Sequence, residues 1–234
     1  MDPVYIVDSI RTPRARANNR GGLNKLNPYE LLDYLYKDFE QKNFLNLHSI
    51  DEVILGCVTQ HGEQAGNIAK VSTLFSGYPD SISGLTINRF CSSSLDAINL
   101  ACLKVQSQQA NNVIAGGVEM MSRVPMLSDE AAIWSDIEIA GRAKIFLMGS
   151  GADLIASLFD ISRDDVDKQA LKSQQNALNA QKNNYFKSII PITCKSKLIH
   201  CVEDECIRSD TTLESLAALE PSFKKLGEQG VDQA

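Results

Sequence analysis

The residue in this chain best placed to do covalent chemistry is Cys91. It closes the run Leu85-Thr-Ile-Asn-Arg-Phe-Cys and is followed by Ser92, Ser93 and Ser94. Leu95, Ile98, Cys102 and Val105 then recur at three- and four-residue spacing. The pattern predicts a strand over 85–90 that turns into a helix, with those four residues as its core-facing stripe. A helix N-terminus offers unpaired N–H groups and the positive end of the helix dipole, which together favour a thiolate over a thiol. A thiolate is the form that attacks acyl carbonyls. The alternative is a structural cysteine packed as a small hydrophobe.

The other five cysteines are Cys57, Cys102, Cys194, Cys201 and Cys206. None forms a C-x-x-C pair, and His200 beside Cys201 completes no common zinc spacing, so no metal site is expected. Free thiols in a reducing cytoplasm are the expectation. With 234 residues, 44% hydrophobic and 22% charged, the chain can bury a sizeable core as one large domain or a domain plus a subdomain. A net charge of −6 and the lack of a long Lys/Arg run argue against a nucleic-acid face. No apolar stretch is long enough to span a bilayer. Met1-Asp-Pro-Val-Tyr-Ile enters a predicted strand directly and leaves no room for a leader peptide.

The elements that must position Cys91 alternate. Strands are predicted at 4–7, 52–58, 85–90 and 112–118, with helices opening at Pro28, running over 66–75 and following Cys91. Gly, Asn and Arg fill 11–27, which reads as a surface loop. This order predicts a layered α/β domain, in which sites gather where strands end and helices begin. Beyond 120 the character changes. A short helix is predicted over 152–159. A longer one, capped at Ser162, runs to about Asn183 with Val166, Ala170, Ser173 and Ala177 as its packing face. Short paired strands are predicted at 189–192 and 197–202.

Five segments, in order and spanning nearly the whole chain, resemble the thiolase family of acyl-CoA acyltransferases. They are Ile10-Arg-Thr-Pro, Asn88-Arg-Phe-Cys-Ser-Ser-Ser-Leu, Ala115-Gly-Gly-Val-Glu-Met-Met-Ser-Arg, Met148-Gly-Ser-Gly-Ala-Asp-Leu-Ile-Ala and Ile207-Arg-Ser-Asp-Thr-Thr-Leu-Glu-Ser-Leu. Val58-Thr-Gln-His-Gly-Glu-Gln-Ala-Gly-Asn is most similar to the degradative 3-ketoacyl-CoA side of the family. The resemblance implies a thiolase-like fold: an N-terminal α/β domain over 1–119, a helical and hairpin loop subdomain over 120–216 that covers CoA, and a truncated tail over 217–234. It implies Cys91 as the nucleophile that carries the acyl group as a thioester, with its own backbone N–H helping to hold the oxyanion. It places Met148 along the pantetheine tunnel and Arg208 near the adenine and phosphate end, with Ser215 nearby. Coenzyme A thioesters are the implied substrates, with no bound cofactor, and fatty-acid β-oxidation is the implied setting. A homo-oligomer, dimer or tetramer, is the implied assembly, with neither nucleic acid nor membrane as partner.

Two departures from the family pattern stand out. Ser94 occupies a position where the family usually has Gly. The second α/β domain, with its Gly-His-Pro and Cys-x-Gly segments, has no counterpart here: His48, His61 and His200 all lie in other contexts. A positioned proton-transfer group contributes about 10²–10⁴-fold. Two functions therefore remain open: a thiolase-type acyltransferase whose other half lies outside this chain, or a non-catalytic thiolase-like protein that binds CoA or acyl groups or serves in assembly.

Overall fold

The computed structural model describes residues 3–42, 46–145 and 147–228. In chain order the elements are α1 (Pro28–Gln41), β1 (Glu52–Gly56), α2 (Ile68–Phe75), β2 (Ser83–Ile87), α3 (Ser93–Gln106) and β3 (Val113–Gly117). They continue with α4 (Ile137–Ala143), α5 (Met148–Leu158), α6 (Arg163–Lys182), β4 (Ile192–Cys194), β5 (Ile199–Cys201), α7 (Leu213–Ala217) and α8 (Lys224–Gly227). They fall into two compact units, the first taking in residues up to 129 together with 187–206, the second the remainder.

The first unit is built on a parallel sheet of order β2-β1-β3. β1 is the middle strand and is buried along its whole length, which suits the apolar run Val53–Leu55 that follows Glu52. Alternate side chains serve opposite faces. Ile54 packs with Ala97 and Ala101 of α3, while Val53 and Leu55 join Leu32, Tyr36, Ile68 and Ile82 beneath α1 and α2. The helices start where their caps dictate. Asn27 and Glu30 form a reciprocal capping box ahead of Pro28. Asn67 caps α2 from a left-handed conformation.

Several expectations are corrected. Residues 4–7 form no strand: Tyr5 and Ile6 are each 77% exposed, and residues 3–12 border a cavity of about 630 Å³ whose far wall is β3. A strand needs a hydrogen-bonded neighbour, and among the described residues none pairs with this segment. On α3 the buried stripe is Ser93, Ala97 and Ala101, not Leu95, Ile98, Cys102 and Val105. Leu95 is 60% exposed, and Ile98, Cys102 and Val105 line that same cavity. Small residues win the sheet face because α3 lies directly against β1, where a Cβ added at Gly56 would meet the Ser93 carbonyl carbon at 2.4 Å. The hairpin β4–β5 belongs to the first unit rather than to the inserted region. Its Ile192, Ile199 and Cys201 are buried with Leu23, Leu26, Leu31 and Met120. The break expected at 119/120 accordingly falls at 129/130, and residues 207–228, which take in the described part of the expected tail, join the second unit.

In the second unit α6 is the longest helix, and Ser162 with Asp165 supplies its capping box. Its half-buried positions are Asp167, Ala170, Leu171, Gln174, Ala177, Leu178, Ala180 and Gln181, so Val166 and Ser173 of the expected face point outward. Arg163 ties the start of α6 to the end of α7, donating to the carbonyls of Leu216 and Leu219.

Candidate functional site

The three parallel strands end together, and the loops that leave them are stitched into one polar network. Glu119, just past β3, accepts from the Val58 N–H at 2.9 Å and from Gln64 Nε2 at 2.8 Å. Gln64 is fully buried, and its Oε1 accepts from the Met120 N–H at 2.7 Å. Asn88, just past β2, donates to the Val58 carbonyl at 3.2 Å and accepts from the Phe90 N–H at 2.8 Å. The last contact is a side chain closing a turn on its own backbone. Gln64 and Glu119 escaped the sequence analysis, although both lie within segments that carried the family resemblance. Glu119 had one sequence signal, a charge set among Val118, Met120 and Met121, whereas Gln64 lies in a polar, Gly-rich stretch that gave none.

Cys91 sits on the turn between Asn88 and α3 and is exposed, two residues ahead of the first helical residue. Phe90 adopts φ +49°, a left-handed conformation unusual for an aromatic residue, and it gives the chain its sharp change of direction. The three serines after Cys91 do different things. Ser92 donates to the Arg89 carbonyl. Ser93 is 3% exposed; its Oγ accepts from the Arg89 N–H at 2.8 Å and donates to the Phe90 carbonyl at 2.6 Å. Ser94, the departure from the family's usual Gly, stands over Gly117: a Cβ added there would meet Ser94 Oγ at 2.1 Å. Its hydroxyl is accommodated because Gly117 carries no side chain. Arg89 forms a 2.8 Å ion pair with Asp96 in the first turn of α3.

The remaining cysteines are chemically sorted by their surroundings. Burial and the nearby Glu119 carboxylate push Cys57 up to about 12, and burial with Glu205 nearby pushes Cys201 up to about 11, so both stay thiols. Cys194, in β4, is held below the ordinary thiol value mainly by its hydrogen bond with the Ser196 hydroxyl. Cys91 and Cys206 are the exposed pair, and of these only Cys91 lies on a strand-to-helix turn. Among the described residues no group of three or more His, Cys, Asp or Glu side chains is placed to hold a metal ion.

Met148 opens α5 and is 81% exposed. Arg208 is exposed; its backbone N–H donates to Gln174 of α6, and among the described residues its guanidinium forms no ion pair with Glu205 or Asp210. Ser215 is the third residue of α7 and belongs to the capping box, its Oγ accepting from the Thr212 N–H at 3.0 Å. These three share the second unit, whereas Cys91 belongs to the first. His48 and His61 lie at short 3₁₀ turns and His200 on β5; none is hydrogen-bonded to Cys91 among the described residues. The Arg11-Thr-Pro segment is anchored by two acids from beyond β5. Asp204 takes a bidentate contact from Arg11 and the Arg14 N–H, and Glu205 accepts from the Arg16 and Gly22 N–H groups.

A parallel α/β unit that presents an exposed cysteine on a strand-to-helix turn defines the class of fold at hand. The comparisons narrow that class. The family profile described as "Thiolase, N-terminal domain" matches residues 4–230. A β-ketoadipyl-CoA thiolase of Pseudomonas knackmussii is 38% identical over 93% of this chain and 59% of its own length. A 3-ketoacyl-CoA thiolase of Aliivibrio fischeri is 37% identical over 95% and 58%. The crystal structure of an acetyl-CoA acetyltransferase from Bacillus anthracis superposes with a TM-score of 0.79 at 31% identity, covering 93% of this chain and 58% of that one. The chain belongs to the thiolase family and corresponds to its N-terminal domain, spanning about three fifths of the length of the relatives it matches.

Proposed function

We propose that this chain supplies the nucleophilic half of a thiolase-type acyl transfer, with Cys91 as the group that is acylated. The observation that carries this reading is the exposed thiol on the strained Phe90 turn, directly ahead of α3. In the cleavage direction the Cys91 thiolate adds to the 3-keto carbonyl of a 3-ketoacyl-CoA, and the bond between C2 and C3 breaks. The electron pair leaves with acetyl-CoA, which takes up a proton at C2. The acyl group remains on sulfur until the thiol of free CoA attacks it and releases the thiolate. Condensation is the same sequence reversed. The Cys91 backbone N–H stabilises the oxyanion. Met148 lines the pantetheine path, Arg208 meets the phosphates through its planar fork of donors, and Ser215 assists nearby.

In this reading the proton step at carbon belongs to the family's second α/β domain, and the working enzyme is a homo-oligomer, dimer or tetramer, in the cytoplasm. Fatty-acid β-oxidation is the proposed setting. The relatives named for β-ketoadipyl-CoA favour a second one, degradation of a chain ending in a carboxylate. In a non-catalytic reading the same surfaces bind CoA without transfer. Intact mass after incubation with acetyl-CoA separates them. A gain of one acetyl group that disappears in Cys91→Ser supports the transfer reading, and no gain in a folded chain that still binds CoA supports the binding one. Arg208→Ala should weaken CoA binding and leave Cys91 alkylation by a small reagent unchanged.

A further inference from the structure

We infer that Ser93 is a positioning residue that holds the Cys91 thiol at the start of α3 by clamping both sides of the turn. The inference rests on the reading of Cys91 as the nucleophile. Ser93 Oγ is the one side-chain atom that grips the turn at two points, taking the Arg89 N–H and giving its own proton to the Phe90 carbonyl. Its backbone N–H also donates to the Phe90 carbonyl, at 3.0 Å. The hydroxyl therefore spans the peptide units on either side of the left-handed Phe90, the residue immediately before Cys91. Ser93 cannot move to follow a relaxing turn. It is 3% exposed, and a Cβ placed on Gly56 of the middle strand would lie 2.7 Å from the Ser93 Cβ. The rigid sheet thus fixes Ser93, Ser93 fixes the strained turn, and the turn fixes the thiol. Small size alone does not account for a buried hydroxyl with both of its functions used.

The test reads where the thiol sits, without requiring acyl transfer. Iodoacetate carries a negative charge and iodoacetamide none, so the ratio of their alkylation rates at one cysteine reports the local field independently of how much thiolate is present. Measured on Cys91 by peptide mass spectrometry and normalised to β-mercaptoethanol, that ratio should be raised about two- to fivefold by the nearby helix end. Ser93→Ala should bring it back to about one, and Ser93→Thr, which keeps the hydroxyl, should retain it. The inference is overturned if the unaltered chain shows no enrichment. It is overturned as well if Ser93→Ala keeps the unaltered ratio, or if Thr loses it as fully as Ala while both fold. Should Ser93→Ala fail to fold, hydrogen exchange on the unaltered chain decides. An Arg89 amide protected like the amides of α3 supports the clamp, and rapid exchange there refutes it. A chain that passes these tests but takes no acetyl group from acetyl-CoA would sink the proposed acyl transfer and leave the clamp standing.

Discussion

The two units of this chain are held together by different physics. Every buried apolar side chain among the described residues lies in the first unit, from Pro13 to Val124 and again from Ile190 to Cys201. Among the described residues, α4 to α7 of the second unit carry no buried side chain. Its order comes from caps at Asp136, Ser162 and Thr212, and from i,i+4 pairs such as Arg163–Asp167. Burial is the main favourable term in folding, whereas caps and exposed pairs each contribute about 1 kcal/mol or less. The unit carrying Cys91 is therefore the rigid one. The unit carrying Met148, Arg208 and Ser215 is drawn from the low-stability end of the molecule.

The sharpest way to break that contrast is to carve equal holes in both units. Ile54→Ala should destabilise the chain by about 2–5 kcal/mol, because Ile54 is fully buried between β1 and α3. Leu171→Ala on the half-buried face of α6 should change the denaturant midpoint far less. Similar losses would mean that the second unit has a core of its own. Next come the close approaches. Gly56→Ala drives a methyl group into the Ser93–Ser94 backbone and should lower stability by about 1–3 kcal/mol. Gly149→Ala in α5 meets only the ring of Phe223, which can swing away, so its melting temperature should barely move.

A smaller effect concerns the acids that anchor 11–22. The Arg11 guanidinium, and then the Arg14 N–H, hold the Asp204 carboxyl below its ordinary value. A depressed carboxylate stabilises the fold fully above the unfolded value near 3.9 and loses that contribution as pH falls through its lower native value. Asp204→Asn should cost about 1–2 kcal/mol at neutral pH, since Arg11 is partly exposed and solvent screens the pair. It should also flatten the loss of stability below about pH 4, measured by urea unfolding across pH. A loss of about 1 kcal/mol is expected for Ser162→Ala. It should appear as faster amide exchange in α6 alone, with the first unit unchanged; a global loss would join the two units into one cooperative block.

Local signals wrote much of this into the chain. Asn27 with Glu30 and Ser162 with Asp165 mark helix starts because their side chains satisfy N–H groups within three residues, a partnership that needs nothing distant. The continuous apolar run of β1 and the position of Cys91 at a turn were legible for the same reason. Tertiary structure decided the rest. Which stripe of α3 faces the sheet depended on Gly56 allowing close approach, so Ala97 and Ala101 went inward although Leu95 and Val105 are more hydrophobic. The apolar segment 4–7 has strand-like composition, but pairing depends on what lies beside it, and across the cavity from β3 it found no partner. The hairpin joined the first unit because Leu23, Leu26 and Leu31, more than 160 residues earlier in sequence, needed cover that Ile192 and Ile199 supply. Spacing along the chain specifies what a residue can do with its near neighbours. Burial and the two-point grip of Ser93 depend on groups that only the fold brings within reach.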